Sequence, residues 1–110
     1  PIVRYEEYSY SITQNSSSVD TTNDTVTFSS PHQLVDGDSI VYSASSVIGG
    51  LSNNTLYWIN AVSTTSISLF ATKNDALNNV SKINLSSTGS GTGTFSHFPF
   101  LVYKGVISNL

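Results

Sequence analysis

Leu56-Tyr57-Trp58-Ile59-Asn60-Ala61-Val62 decides the fold class of this chain. Both of its alternating sets, Leu56/Trp58/Val62 and Tyr57/Ile59/Ala61, are largely apolar, which predicts a strand covered on both faces and placed centrally in a sheet. Upstream, Gly49-Gly50 and Asn53-Asn54 bracket a loop, and before it Ser39-Ile40-Val41-Tyr42-Ser43 reads as a second strand. That strand opens out of the turn Val35-Asp36-Gly37-Asp38, where Gly accepts positive φ and Asp bonds its own backbone. Downstream, Ser63-Thr64-Thr65 closes a hairpin onto Ser66-Ile67-Ser68-Leu69-Phe70, with Ile67 and Leu69 on one face.

Farther out the same period continues. Val26 and Phe28 alternate with Thr from Asp24 to Phe28, and Pro31 ends that strand. Tyr8, Tyr10 and Ile12 alternate with polar residues in the first segment, and the Ser- and Thr-rich tract from Gln14 to Asn23 reads as a linker or exposed loop. Ala71 to Asn79 holds the one plausible helix, near residues 73–79 and too short to stand without packing. Lys82-Ile83-Asn84-Leu85 reads as a strand, then come a Gly-rich loop, Thr94-Phe95-Ser96-His97-Phe98, and an apolar run from Phe100 to Ile107. The expected architecture is all-β, a small antiparallel barrel or sandwich of about seven or eight short strands with at most one short helix. Residues 1–23 form an N-terminal strand and polar linker, 24–95 a β-barrel-like module, and 96–110 a C-terminal strand or connection to a neighbouring domain.

Composition narrows the function classes. The 110 residues suit one domain, with four Lys and Arg against seven Asp and Glu for a net charge of −3. Scattered single cations give no basic face, so nucleic acid is not an expected partner. With no Cys, thiolate catalysis, disulfides and Cys-ligated metals are excluded by counting. The chain holds 21 Ser, 12 Thr and 10 Asn, so its hydrophilicity comes without charge, while 38% hydrophobic residues suffice to fold it as sheet. Its apolar runs are too short for a membrane-spanning helix, so no membrane partner is expected. Pro1 at the start and the absence of Met point to a segment of a longer protein.

A series of short motifs runs in order through the middle of the chain. They are Asp24-Thr25-Val26-Thr27; His32, Leu34, Gly37 and Asp38; Val41-Tyr42-Ser43; Gly49-Gly50-Leu51 with Thr55 and Tyr57-Trp58-Ile59; Ser66-Ile67-Ser68-Leu69; Ala71-Thr72 with Asp75-Ala76; and Ile83-Asn84-Leu85 leading to Thr88-Gly89-Ser90-Gly91-Thr92. In order and spacing this series resembles an all-β repeat module of bacteriophage tail, fibre and other virion proteins, found also in bacterial surface proteins. That module is distantly similar to the β-barrel half-domain of ubiquitin-activating enzymes. The resemblance covers residues 24–95 and departs at Gln33, where the family usually has Gly. It implies a non-enzymatic structural module of a virion protein in the tail, baseplate or tail fibre, acting in assembly or as a spacer. Partners would be other virion proteins or copies of itself. The alternative is a carbohydrate-binding or adhesin module on a bacterial cell surface, with host-surface polysaccharide as its ligand.

Candidate sites are few. His32, Asp36, Gly37 and Asp38 form a loop-organising group; Asp-x-Asp matches a fragment of a calcium loop, but such loops offer more carboxylates at regular offsets, so no metal site is assigned. No catalytic residue or cofactor site is assigned either. His32 or His97 with an abundant Ser lacks the nucleophile elbow a hydrolase needs, and Gly89-Ser90-Gly91-Thr92-Gly93 lacks the helix and Lys of a phosphate cradle. Tyr42, Tyr57 and Trp58 suit core packing better than a sugar-stacking platform. Five sequons, at Asn15, Asn23, Asn53, Asn79 and Asn84, stand against about three expected by chance in so Ser/Thr-rich a chain. Val102, Tyr103, Val106 and Ile107 are the candidate interface, a strand edge available to a neighbouring chain.

Overall fold

The computed structural model describes the backbone of residues 2–15 and 18–108, and the side chains of residues 11–13, 15 and 18–97. Among the described residues there are seven strands, β1 (Ile2–Asn15), β2 (Val19–Asp20), β3 (Thr25–Thr27), β4 (Ser39–Ala44), β5 (Thr55–Ala61), β6 (Ser66–Phe70) and β7 (Thr92–Ser108), with one helix, α1 (Lys73–Asn78), between β6 and β7. They form a single antiparallel sheet in the order β1-β7-β4-β5-β6-β3-β2. The fold is the all-β, barrel-like architecture expected, with the helix where the sequence places it.

Register explains the core. Ile12 stands opposite Phe95, Phe95 opposite Tyr42, Ile40 opposite Tyr57, Ile59 opposite Leu69, Ile67 opposite Val26, and Val26 opposite Val19. One face of the sheet is therefore a continuous apolar row, and each large side chain on it contributes about 1.5–3 kcal/mol by leaving water. The sheet curls into a half-barrel around this row. Phe28, just past β3, meets Phe95 of β7 with ring centroids 5.5 Å apart and planes at 81°, although their strands lie near opposite ends of the sheet. Leu34, Ile48, Leu51 and Leu85 from the connecting segments close the open side.

The opposite face is mixed, with Val41, Leu56, Trp58 and the fully buried Phe70 at its centre and hydroxyl pairs towards its ends. Ser11 and Ser96 share a hydrogen bond of 3.0 Å across β1 and β7, and Thr27 and Ser66 one of 2.6 Å across β3 and β6. Helix α1 covers part of this face. Thr72 caps it by accepting the Asp75 N–H at 3.1 Å, and Asn79 ends it at φ 52° in the left-handed region. Asn60 of β5 donates to the Ala76 carbonyl at 3.0 Å, tying the helix to the sheet.

Several elements differ from expectation for identifiable reasons. β5 is the fourth of seven strands, hence central, but only Tyr57 and Ile59 are buried. Leu56 and Val62 are 46% and 56% exposed, because α1 is too short to cover the outer face. The polar tract contains a strand: Val19 packs into the core, and Asp20 organises the turn that follows. Lys82–Leu85 is not a strand, because its backbone donors go to scattered partners instead of one ladder. Ile83 N–H reaches the Leu69 carbonyl, while Leu85 N–H reaches Asp24 Oδ1. β1 and β7 are long strands rather than short ones. β7 runs through Pro99, which falls in the register step opposite Ser9, where a missing N–H costs no ladder bond. From Tyr10/His97 outward these two strands continue as a two-stranded ribbon to Ile2/Ser108. Nine residues of β1 at about 3.3 Å each extend about 30 Å, in keeping with overall extents of 58 × 30 × 23 Å.

Candidate functional site

The loop between β3 and β4 is held by side chains that bond the main chain. His32 is buried, and its two ring nitrogens meet two backbone groups: Nδ1 accepts the Leu34 N–H at 2.9 Å, so Nε2 carries the proton and donates to the Ser63 carbonyl at 2.7 Å. Gln33 stands between these anchors at φ 59°, the conformation a glycine would adopt without strain. Asp36 Oδ1 accepts the Ala61 N–H at 2.7 Å, fastening the turn to the end of β5. Asp38 Oδ2 accepts the Val35 N–H at 2.9 Å, while its main chain exchanges bonds with Val35 and Ile59. Gly37, at φ 88°, is buried under Leu77 of α1, where a Cβ would stand 2.8 Å from Leu77 Cδ2. The four loop residues therefore act together on one structure, joining the loop to β5, β6's hairpin and α1.

The Asp36 carboxylate bonds the end of β5, while that of Asp38 bonds the Val35 N–H of its own turn. Among the described residues no group of three or more His, Asp or Glu gathers as a metal-ligand cluster. His97 is a second buried histidine: its Nδ1 donates to the Ser39 carbonyl at 2.6 Å and its Nε2 lies 3.6 Å from Asp38 Oδ2. That contact is too long for a hydrogen bond and is an ion pair only when the imidazole is protonated. Gly89 packs against the Ser46 and Val47 carbonyls, and the Gly-rich loop leads into β7 rather than a helix.

Tyr42 and Tyr57 point into the core and Trp58 to the other face, since neighbouring strand residues alternate. The three rings do not form one platform. Instead, the tyrosine hydroxyls hold the 45–54 loop: Tyr42 accepts the Ile48 N–H at 2.9 Å and Tyr57 the Ser52 N–H at 2.8 Å. Burial pushes the Tyr42 phenol above its ordinary value, against the opposing pull of the Ile48 N–H. Asn53, the middle sequon residue, accepts the Ala44 N–H at 2.9 Å. Asp24 accepts the Leu85 N–H across 61 residues of sequence. The bonds of Tyr42, Tyr57 and Asn53 close one loop within nine residues, whereas that of Asp24 joins distant segments.

Asp20 fastens the β2–β3 turn. Its carboxylate accepts the Thr22 and Asn23 N–H groups and the Asn23 side chain, and these bonds, that to the Asn23 backbone foremost, hold its carboxyl below the usual aspartate value. Beside this turn a shallow polar cleft of about 580 Å³ is lined by Asn23, Asn60, Asn79, Ser66, Ser68 and Lys82. A more apolar cleft of about 540 Å³ lies over Pro31, His32, Leu34 and Ala61.

The candidate interface residues occupy the ribbon. Val102 stands opposite Glu6, Tyr103 opposite Tyr5 and Val106 opposite Val3, while Ile107 falls in a register step; their side chains lie outside the described residues. This stretch of β7 thus pairs with β1 of its own chain. No family model matches the chain, and no curated protein or solved structure matches it either.

Proposed function

We propose that this chain is a non-enzymatic structural module of a bacteriophage virion protein, in the tail, baseplate or tail fibre, acting in assembly or as a spacer. The structural observation behind the assembly role is the β1–β7 ribbon, an extension whose outer edges have no strand partner among the described residues, on a sheet that ends in β1 and β2. The motif series from Asp24 to Thr92 supports the phage origin. The loop residues with the strongest chemical character, His32, Asp36 and Asp38, are engaged with backbone groups of the fold itself. In this reading the protein resides in the virion and its partners are other virion proteins or further copies.

One observation favours a second reading. The cleft lined by Asn60, Asn79, Ser66 and Ser68 presents amides and hydroxyls with one cation, Lys82, a chemistry that matches neutral sugars and fits a carbohydrate-binding or adhesin module. Immunogold electron microscopy with antibody to this chain separates the two. Label at a defined position on tails or particles is the expected result; label over cell envelopes with bare virions overturns the virion assignment.

A further inference from the structure

We propose that the outer edge of β1 is a self-association surface, on which two copies of this chain pair β1 against β1, antiparallel, about a two-fold axis at Tyr5. This names the strand and the partner for the architectural reading above and rests on it.

The first ground is topology. β1 ends the sheet, so one side of it bonds to β7 and the other offers a row of backbone groups with no strand partner among the described pairings. Past His97 the pairings of β7 are to β1 alone, and a ribbon of two strands is marginally stable in water by itself. A third strand on its edge supplies what it lacks.

The second ground is the difference between the two edges. From Ile2 to Asn15, β1 contains no Gly and neither Pro nor Lys, two residues that blunt exposed edges, and its charged residues are Arg4, Glu6 and Glu7. β7 carries all three in the ribbon, with Pro99 and Lys104 falling in its register steps and Gly105 beside one. The edge left suitable for pairing is that of β1.

The third ground is charge, and it selects the partner and the register. Within the ribbon, Arg4 stands opposite Gly105, Glu6 opposite Val102 and Glu7 opposite Leu101, so none of these charged residues is directly opposed by another. When two identical antiparallel strands pair about a two-fold axis, the axis passes midway between directly opposed residues, and one residue must face its own copy. Placing Arg4, Glu6 or Glu7 there opposes like charges, which is unfavourable. Tyr5 on the axis sets Arg4 opposite the partner's Glu6, twice by symmetry. No other axis residue in β1 brings Arg4 opposite a Glu. The strand is thus complementary to itself, which is why the occupant is a second copy.

Sedimentation of the chain is expected to show a dimer, and Arg4→Glu to weaken it roughly ten-fold by opposing like charges at two positions. The double exchange Arg4→Glu with Glu6→Arg is expected to restore it. Because the chain has no Cys, single cysteines report the register directly. Directly opposed residues lie about 4.5–5.5 Å apart at Cα, within disulfide reach. Tyr5→Cys should therefore oxidise to a linked dimer, whereas Ser11→Cys, far from the axis, should not. A monomer throughout, a dimer indifferent to both exchanges, or equal crosslinking at the two positions overturns the proposal. Monomers whose antibody still labels virions would sink the pairing and spare the architectural reading; dimers whose antibody leaves virions bare would do the reverse.

Discussion

Replacing Tyr42 with Phe removes one oxygen from the centre of the core and tests how the 45–54 loop is held. The ring remains, with its neighbour Phe95 at 5.1 Å between centroids, so packing is preserved. What is lost is the acceptor for the Ile48 N–H, a 2.9 Å bond in a buried setting. A buried donor left unsatisfied costs about 1–3 kcal/mol. With an unfolding entropy of about 2.1 cal/mol/K per residue over 110 residues, each kcal/mol corresponds to about 4 °C in Tm, so a fall of about 4–13 °C is expected at neutral pH. Calorimetry and urea unfolding measure it. Tyr42 also carries a pH signature. Burial raises its folded-state value above the ordinary 10.0, so the stability tied to its neutral form is complete below pH 10 and is lost as pH rises towards the folded value. The Phe variant has no such loss, so the gap between the two proteins should narrow above pH 10. A neutral-pH difference under about 0.5 kcal/mol, within the range of ordinary surface changes, would refute the reasoning. So would a gap that widens in alkali.

Two further perturbations test separate parts of the fold. Gly50 adopts φ 99° and a Cβ there would stand against the Asn84 carbonyl, whereas Gly91, at φ 72°, has open space around it. Gly50→Ala should therefore destabilise well beyond the roughly 1–2 kcal/mol of left-handed strain expected for Gly91→Ala, and equal losses in denaturant unfolding would deny the close approach. Asp20→Ala should weaken amide-exchange protection at Thr22 and Asn23 near neutral pH. Because the folded value of Asp20 is lowered, its contribution is present above the ordinary 3.8 and disappears as pH falls through the folded value. The variant and the parent should therefore converge in acid; a difference that persists there would place the effect outside the carboxylate.

Much of the sheet was legible because a strand with one buried face writes itself as alternation. Ile40/Tyr42, Tyr57/Ile59 and Ile67/Leu69 read as strand positions from local pattern, and all six are buried. The Val35–Asp38 turn was legible for the same reason, since Gly37 at positive φ and Asp38 bonding the Val35 N–H are short-range chemistry, whereas the bond from Asp36 to Ala61 spans 25 residues and is not. The misreadings cluster where coverage comes from elsewhere. An apolar outer set in β5 suggested a second layer, yet α1 shields only part of that face and Val62 stays exposed. Val19 was hidden inside a polar tract because a two-residue edge strand is too short to show a period. Ile83 and Leu85 alternate like a strand but bond to different elements.

Local order in this protein was determined by the sequence alone. Side-chain period, turn chemistry and the short capped helix depend on neighbours a few residues apart, and those neighbours are written next to one another. Which strands meet was decided only in three dimensions. β1 and β7, at opposite ends of the chain, become one ribbon, and their pairing carries β1 to the edge of the sheet. The pairing of β4 with β7 brings His97 to Asp38, and the packing of the segment before β7 brings Leu85 to Asp24. Backbone groups are alike in every strand, so the ladder bonds carry little information about partner choice; the burial of Phe28 against Phe95 across the curled sheet, a contact between distant residues, selects it.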